Sequence, residues 1–413
     1  MPSKNPFSSS VSASGSASPD RVDVAIIGAG VMGAATAYWL KRSDPNLSVA
    51  LIDRDYSFSQ ASSTLSASSI RQQFSCPVNI QLSQFGIQFL RSVSDYLSCA
   101  GEAIDLGLTE PGYLYLASHA QEPGLRAAWD IQSRHGAEIK LLAPSEIAQR
   151  FSWLNTDGIT LGALGLTGEG WFDGPALHQA FLKKAFASGV VRVQGEVSTI
   201  QCTGESGAQG RQADSVVLAD GRKISCAVLV NAAGAWSQAL VRGLDLELPI
   251  GAARRTVFVL SCPEPLSDCP LLIDTSGFWL RPEGRFLIAG MEPRVQEDGL
   301  PLDPDYSELD ETQWAVMAHR IPALEAMRIE RAWAGYYEMN HFDHNAVIGP
   351  FQGFKNFYCI AGFSGHGMQH AAGAGLALSE WILTGKPQTI DVRPLGHDRI
   401  ARGEQLRELN VIG

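Results

Sequence analysis

Three glycines, Gly28, Gly30 and Gly33, follow directly on the apolar run Val22 to Ile27 and precede a helical pattern through Ala37 and Leu40. In such a loop the first glycine makes a tight turn, the second lets backbone approach a diphosphate, and the third lets helix pack on strand. The helix start at Val31 and Met32 then offers free N–H groups and a positive dipole end to an anion. Asp53 lies 20 residues beyond Gly33, closing the next apolar run, Val49 to Ile52, with Arg54 beside it. A carboxylate there accepts hydrogen bonds from the ribose hydroxyls of an adenosine. This strand, glycine turn, helix and strand predict a dinucleotide site.

Other residues have side chains suited to chemistry. Arg71 carries a guanidinium fork that matches a carboxylate in two-point geometry. Tyr336, Tyr337, His341 and His344 stand together before the strand-like run that includes Val347 and Ile348. They are candidates for a pocket wall that exchanges a proton, and Tyr337 and His341 are taken with Arg71 as the catalytic candidates. His366 and His370 have the spacing of a zinc helix, but the segment reads His-Gly-Met-Gln-His and lacks the glutamate of that motif. No metal is expected.

The elements that must hold these residues are legible as patterns. Helices are expected over 79 to 97, behind Asn79 as N-cap, from Ser145 as a second cap, and over 176 to 187. Short strands follow at Val191, Val193, Val197, Val216 to Leu218 and Val228 to Val230. Alternating runs between Leu248 and Gly290 read as an antiparallel sheet in a separate layer. Then come a strand over Phe357 to Ala361, a glycine-rich turn over Gly362 to Gly367 and a helix over Met368 to Leu383.

The expected fold is α/β: a discontinuous Rossmann-type nucleotide domain with an inserted α+β substrate domain built on an antiparallel sheet. The nucleotide domain takes 21–105, 168–240 and 340–390, and the substrate domain takes 106–167 and 241–339. A disordered tail over 1–20 and a C-terminal extension over 391–413 complete the chain.

Composition narrows the function. The chain of 413 residues has a net charge of −11 and no cluster of lysines and arginines, which argues against nucleic acid. Its seven cysteines are odd in number, scattered and without a Cys-x-x-Cys pair, so reduced thiols are expected. The apolar stretch Val24 to Leu40 is short for a membrane span and broken by three glycines. The serine-rich first twenty residues have no apolar h-region and only Lys4 as a base. A cytoplasmic location is therefore expected, with a mitochondrial one as the alternative.

Ala61 to Arg71, Asn231 to Trp236 and Ala361 to Met368 resemble the D-amino-acid oxidase and sarcosine oxidase superfamily. Ile70 to Ser75, Trp333 to Tyr337 and Phe363 to Gly367 are most similar to its subgroup of FAD-dependent oxidoreductase domain-containing protein 1. The resemblance runs over almost the whole chain after residue 20. It implies FAD as cofactor, with Ser62, Ser63, Thr64, Val197, Ala233, Gly234, Trp236, Gly362, Gly365, His366, Gly367, Met368 and Gln369 joining the first loop around it. The last glycine turn fits that reading, because a helix start stabilises negative charge developing on a reduced flavin.

By the same resemblance Arg71 falls where sarcosine oxidases pair an arginine with the substrate carboxylate. Gln369 replaces a lysine of those enzymes, and the position of their flavin-tethering cysteine falls near Gly335, so non-covalent FAD is expected. The implied activity is oxidation of the C–N bond of a small amine or amino acid, with dioxygen or another carrier accepting the electrons. A mitochondrial member of the subgroup is associated with assembly of respiratory complex I. That makes a flavin-bearing assembly or scaffold protein with little turnover one alternative, and the glycine fingerprint alone also permits an NAD-dependent dehydrogenase.

Overall fold

The computed structural model describes residues 19–204 and 210–409. All but Pro19 and Asp20 of the serine-rich segment 1–20 lies outside them.

Strand β1, Arg21–Ile27, helix α1, Val31–Ser43, and strand β2, Val49–Asp53, form the first unit. β1 lies parallel to β2, with Val24 beside Val49 and Ile27 beside Ile52. On its other side β1 runs parallel to Lys223–Asn231, which pairs in parallel with Phe357–Ala361. Such strands are covered on both faces and so read as continuous apolar runs. Val24 and Ile26 enter one core cluster with α1 and the helix Gly367–Thr384. Ala25 and Ile27 enter another on the opposite face.

A second sheet runs from Arg328–Asn340 through Ile250–Ser261 to Phe286–Gly290, Trp279–Glu283, Leu271–Ile273 and Tyr113–Ala117, ending on Leu161–Gly165 and Ile139–Leu142. It is mixed, because Leu271–Ile273 lies parallel to Tyr113–Ala117. Chain from two distant segments meets at that pair, so no hairpin turn dictates its direction. The strands between Leu248 and Gly290 pair antiparallel with one another, as expected. Strands of the first sheet come from 21–53, 191–231 and 347–361, and those of the second from 113–165 and 250–340.

Two caps differ from expectation. Helix Pro77–Arg91 begins before Asn79 and gives way at Ser92 to a short helix, Val93–Leu97. Proline suits a first helical position, where no N–H is needed. Asn79 lies inside the first turn and donates to Asn345 Oδ1 at 2.6 Å and Glu408 Oε1 at 2.7 Å. Helix Pro144–Arg150 likewise starts before Ser145, and Glu146 accepts the Ala143 N–H at 2.8 Å.

Arg399 and Glu408 pack back on the nucleotide side. Arg399 and Asp343 form a buried ion pair at 2.8 Å, and Glu408 accepts from Ser75 Oγ at 2.7 Å and the Cys76 N–H at 3.2 Å. Among the described residues no helix is long and apolar enough to cross a membrane.

Candidate active site

The glycine turn is built by close backbone contact. Gly28 has φ +103°, and a Cβ on it would lie 2.2 Å from the Ala232 carbonyl oxygen. A Cβ on Gly33 would lie 1.9 Å from the Gly28 oxygen, so Gly33 sets how closely α1 approaches the turn. Gly30 differs: a Cβ there would meet only Ser63 Oγ, at 3.3 Å. Its open side faces a cavity of about 350 Å³ between the two sheets, lined also by Gly28, Val31 and Met32. His178 pins the turn from the helix Gly174–Ala187, its Nε2 lying 2.7 Å from the Ala29 oxygen. Burial lowers this ring to about 4, so it is neutral and Nε2–H donates.

Around the same cavity stand Asp53 and Arg54, Ser62 and Ser63, Val197, and Ala233, Gly234 and Trp236. Asp53 accepts the Ala29 N–H at 2.7 Å and the Asp55 N–H at 2.9 Å, while burial raises its carboxyl. Arg54 stacks on the Trp236 ring at 4.1 Å. Ser63 Oγ accepts the Val31 N–H at 2.9 Å, which ties the second loop to the start of α1. Gly365, Gly367 and Met368 close the far side. Two helix starts and a glycine with open space beside it form a cradle for a diphosphate.

A smaller cavity of about 70 Å³ adjoins the first, sharing Trp279, Tyr337, Gly365 and Met368 with it. Arg71, Tyr113, His366 and Gln369 complete its polar and aromatic wall. The Arg71 guanidinium lies 4.6 Å from the Phe74 ring, with Nη2 3.3 Å from His366 Nε2. Burial first, then the Arg71 charge, hold His366 well below its usual range, so this ring is neutral and Nε2 accepts. Arg71 Nε is buried with no hydrogen-bond partner. Gln369 Oε1 accepts the Arg71 N–H at 2.7 Å, so this glutamine fixes the arginine backbone. Glu169 accepts from the Gln72 N–H at 2.6 Å and Gln73 Nε2 at 2.9 Å. Burial pushes its carboxyl up to about 7.

Five sequence candidates lie apart from both cavities, His344 among them. His341 is exposed and sits 2.8 Å from Asp298, because its strand ends at Asn340 and the chain turns outward. Thr64 turns its hydroxyl onto the carbonyls of Phe58 and Ala61. Gly362 packs against Ile250, and Gly33 packs on the glycine turn. Glu338, Glu169, Tyr113, Trp279 and His178 were not singled out in the sequence. The last three sit in apolar runs that read as core, and only pairing across distant segments reveals any of them. Among the described residues no group of side chains is arranged to hold a metal, and the seven cysteines are free.

Fold and site together define a dinucleotide-binding oxidoreductase. Residues 23–381 match the family model described as FAD dependent oxidoreductase, and the chain belongs to that family. FAD is therefore its cofactor, and the cradle around Gly30 fits it. The chain is 37% identical to FAD-dependent oxidoreductase domain-containing protein 1 of Xenopus laevis, over 95% of this chain and 85% of that one. It is 25% identical to human mitochondrial dimethylglycine dehydrogenase, over 89% of this chain and 43% of that longer one. The fold matches L-proline dehydrogenase from P. horikoshii with a TM-score of 0.80 at 24% identity, covering 94% of this chain and all of the other.

Proposed function

We propose that the protein oxidises the C–N bond of a small amino acid, with Arg71 holding the substrate carboxylate in the smaller cavity. The observation that carries this is the buried Arg71 Nε without a partner, on a guanidinium that lines that cavity. A buried unpaired donor is costly, and a carboxylate would satisfy it together with an Nη. A relative named for dimethylglycine, an amine with a carboxylate, supports the same substrate class.

Bound FAD supplies the two-electron acceptor. Gly30, the start of α1, Asp53 and the Gly365 to Met368 turn are the residues proposed to hold it, without a covalent bond, since no cysteine lines either cavity among the described residues. A Cβ at Gly335 would meet Leu65 Cβ at 2.9 Å, so that position is filled by packing. Arg71 orients the substrate, while Tyr113, Trp279 and Tyr337 exclude water. Among the described residues no acidic side chain lines the smaller cavity, so none there favours an ammonium, and the substrate amine gives up its proton to solvent and reacts in its neutral form. The imine product is then hydrolysed by water, and the electrons pass on to dioxygen or another carrier.

An anaerobic panel of small amines and amino acids tests this reading. At least one carboxylate-bearing amine should bleach the flavin. Bleaching by dithionite and by none of the panel overturns it in favour of a flavoprotein with little turnover.

A further inference from the structure

Glu338 stands where the strand Arg328–Asn340 meets both the Gly234 loop and the start of the helix Gly367–Thr384. Ideal Cβ positions on Gly234 and Gly367 would each lie 3.5 Å from one of its carboxylate oxygens. The residue is part-buried and lines the larger cavity. It accepts the Phe363 N–H at 3.3 Å.

We propose that Glu338 is a cofactor-contacting acid that is protonated when FAD is bound, so that FAD binding is coupled to proton uptake at this side chain.

Among the described residues no cation pairs with Glu338. From the turn after Phe357–Ala361 come the backbone N–H groups of Gly362 and Phe363, and from that strand the thiol of Cys359. From the paired strand Ile250–Ser261, where Ala252 lies opposite Glu338, come Arg254 and Arg255. Arg254 is bound to Asp305 at 3.0 Å, and Tyr337, Glu292 and Glu308 are among the groups that act on Arg255. Asp53, Asp55 and Glu196 add negative charge around the cavity, against Arg54 and Arg255. Among the described residues Glu338 forms no salt bridge, and burial alone pushes its carboxyl up to about 7. FAD brings a doubly negative diphosphate into that cavity. It displaces water and repels a second anion, and both effects favour the neutral acid. A neutral carboxyl also gains an O–H to donate.

The sign follows from linkage. FAD prefers the protonated form, so its affinity is constant below about pH 7 and falls above, approaching roughly tenfold per pH unit. Dilution of the holoprotein, following the fluorescence of released FAD, reads this between pH 6 and 8.5. Wild type should lose FAD steeply above pH 7. Glu338→Gln, which mimics the neutral acid, should change by less than about threefold over the same range. A wild type whose affinity is flat with pH, or a Glu338→Gln that follows it in parallel, overturns the proposal. If Glu338→Gln does not retain FAD, the infrared spectrum of the wild-type holoprotein at pH 7.5 decides. A carboxylic-acid C=O band that disappears when FAD is released supports the coupling, and its absence contradicts it.

Discussion

Gly30 and Gly33 belong to one motif yet should fail in different ways. Alanine at Gly33 drives a carbon into the Gly28 carbonyl, so Gly33→Ala should cost several kcal/mol of stability and yield little folded protein. Alanine at Gly30 meets only a serine hydroxyl, so Gly30→Ala should fold with near wild-type circular dichroism but bind FAD at least tenfold more weakly. Thermal melts beside flavin content check both, and full flavin content in Gly30→Ala would move the diphosphate elsewhere. Arg71 permits a similar separation. Arg71→Ala should lose roughly thirty- to thousandfold in kcat/KM for a carboxylate substrate, as expected for about 2 to 4 kcal/mol of charge-assisted pairing. Arg71→Lys should lose less, because it keeps the charge and gives up the planar fork.

At the scale of elements, the glycine turn is held by a helix more than a hundred residues away through His178 and Ala29. His178→Ala leaves a carbonyl unpaired and a hole beside Phe58, so it should weaken FAD binding while the sheet persists. Isothermal titration of FAD into both proteins measures this, and equal affinities would make the contact incidental. Glu408 plays a comparable part by capping the start of Pro77–Arg91 from the end of the chain. Glu408→Ala should cost about 1 to 2 kcal/mol, read as a lower urea midpoint.

How much was legible in the sequence follows from these examples. β1, α1, β2 and the helix after Gly367 were readable because apolar period and glycine spacing are local signals. Asn79 and Ser145 were misread as caps because proline set the helix starts instead. His341 stood near Tyr337 in sequence, yet Tyr337 faces the cavity while the chain carries His341 to solvent. Glu338 and Glu169 gave no pattern, since what sets a buried acid apart is its neighbours in space.

The whole molecule buries His178, His366 and His370 in uncharged form. Unfolding lets them protonate near their ordinary value of about 6.5, so their contribution to stability is present above that pH and lost as pH falls. Glu169 and Glu338, both raised to about 7, act oppositely, with stability present below about pH 4.5 and lost as pH rises toward 7. His344 and His397 are lowered as well, while Asp53 and Glu308 are raised, so the lowered histidines outnumber the raised acids and stability should fall as pH drops from 6 to 5. Urea unfolding at pH 6 and 5 should show that slope, and His178→Gln should flatten it.

The two cavities work as one device only if a carboxylate seated on Arg71 brings an amine to the flavin. The direct measurement is anaerobic rapid mixing of the holoprotein with sarcosine, proline or glycine, and with dimethylamine, pyrrolidine or methylamine as partners lacking the carboxylate. At least one acid should reduce the flavin far faster than its partner, and Arg71→Ala with normal flavin content should abolish the difference. Equal rates for acid and partner in wild type, or a preference that survives in Arg71→Ala, would contradict the account.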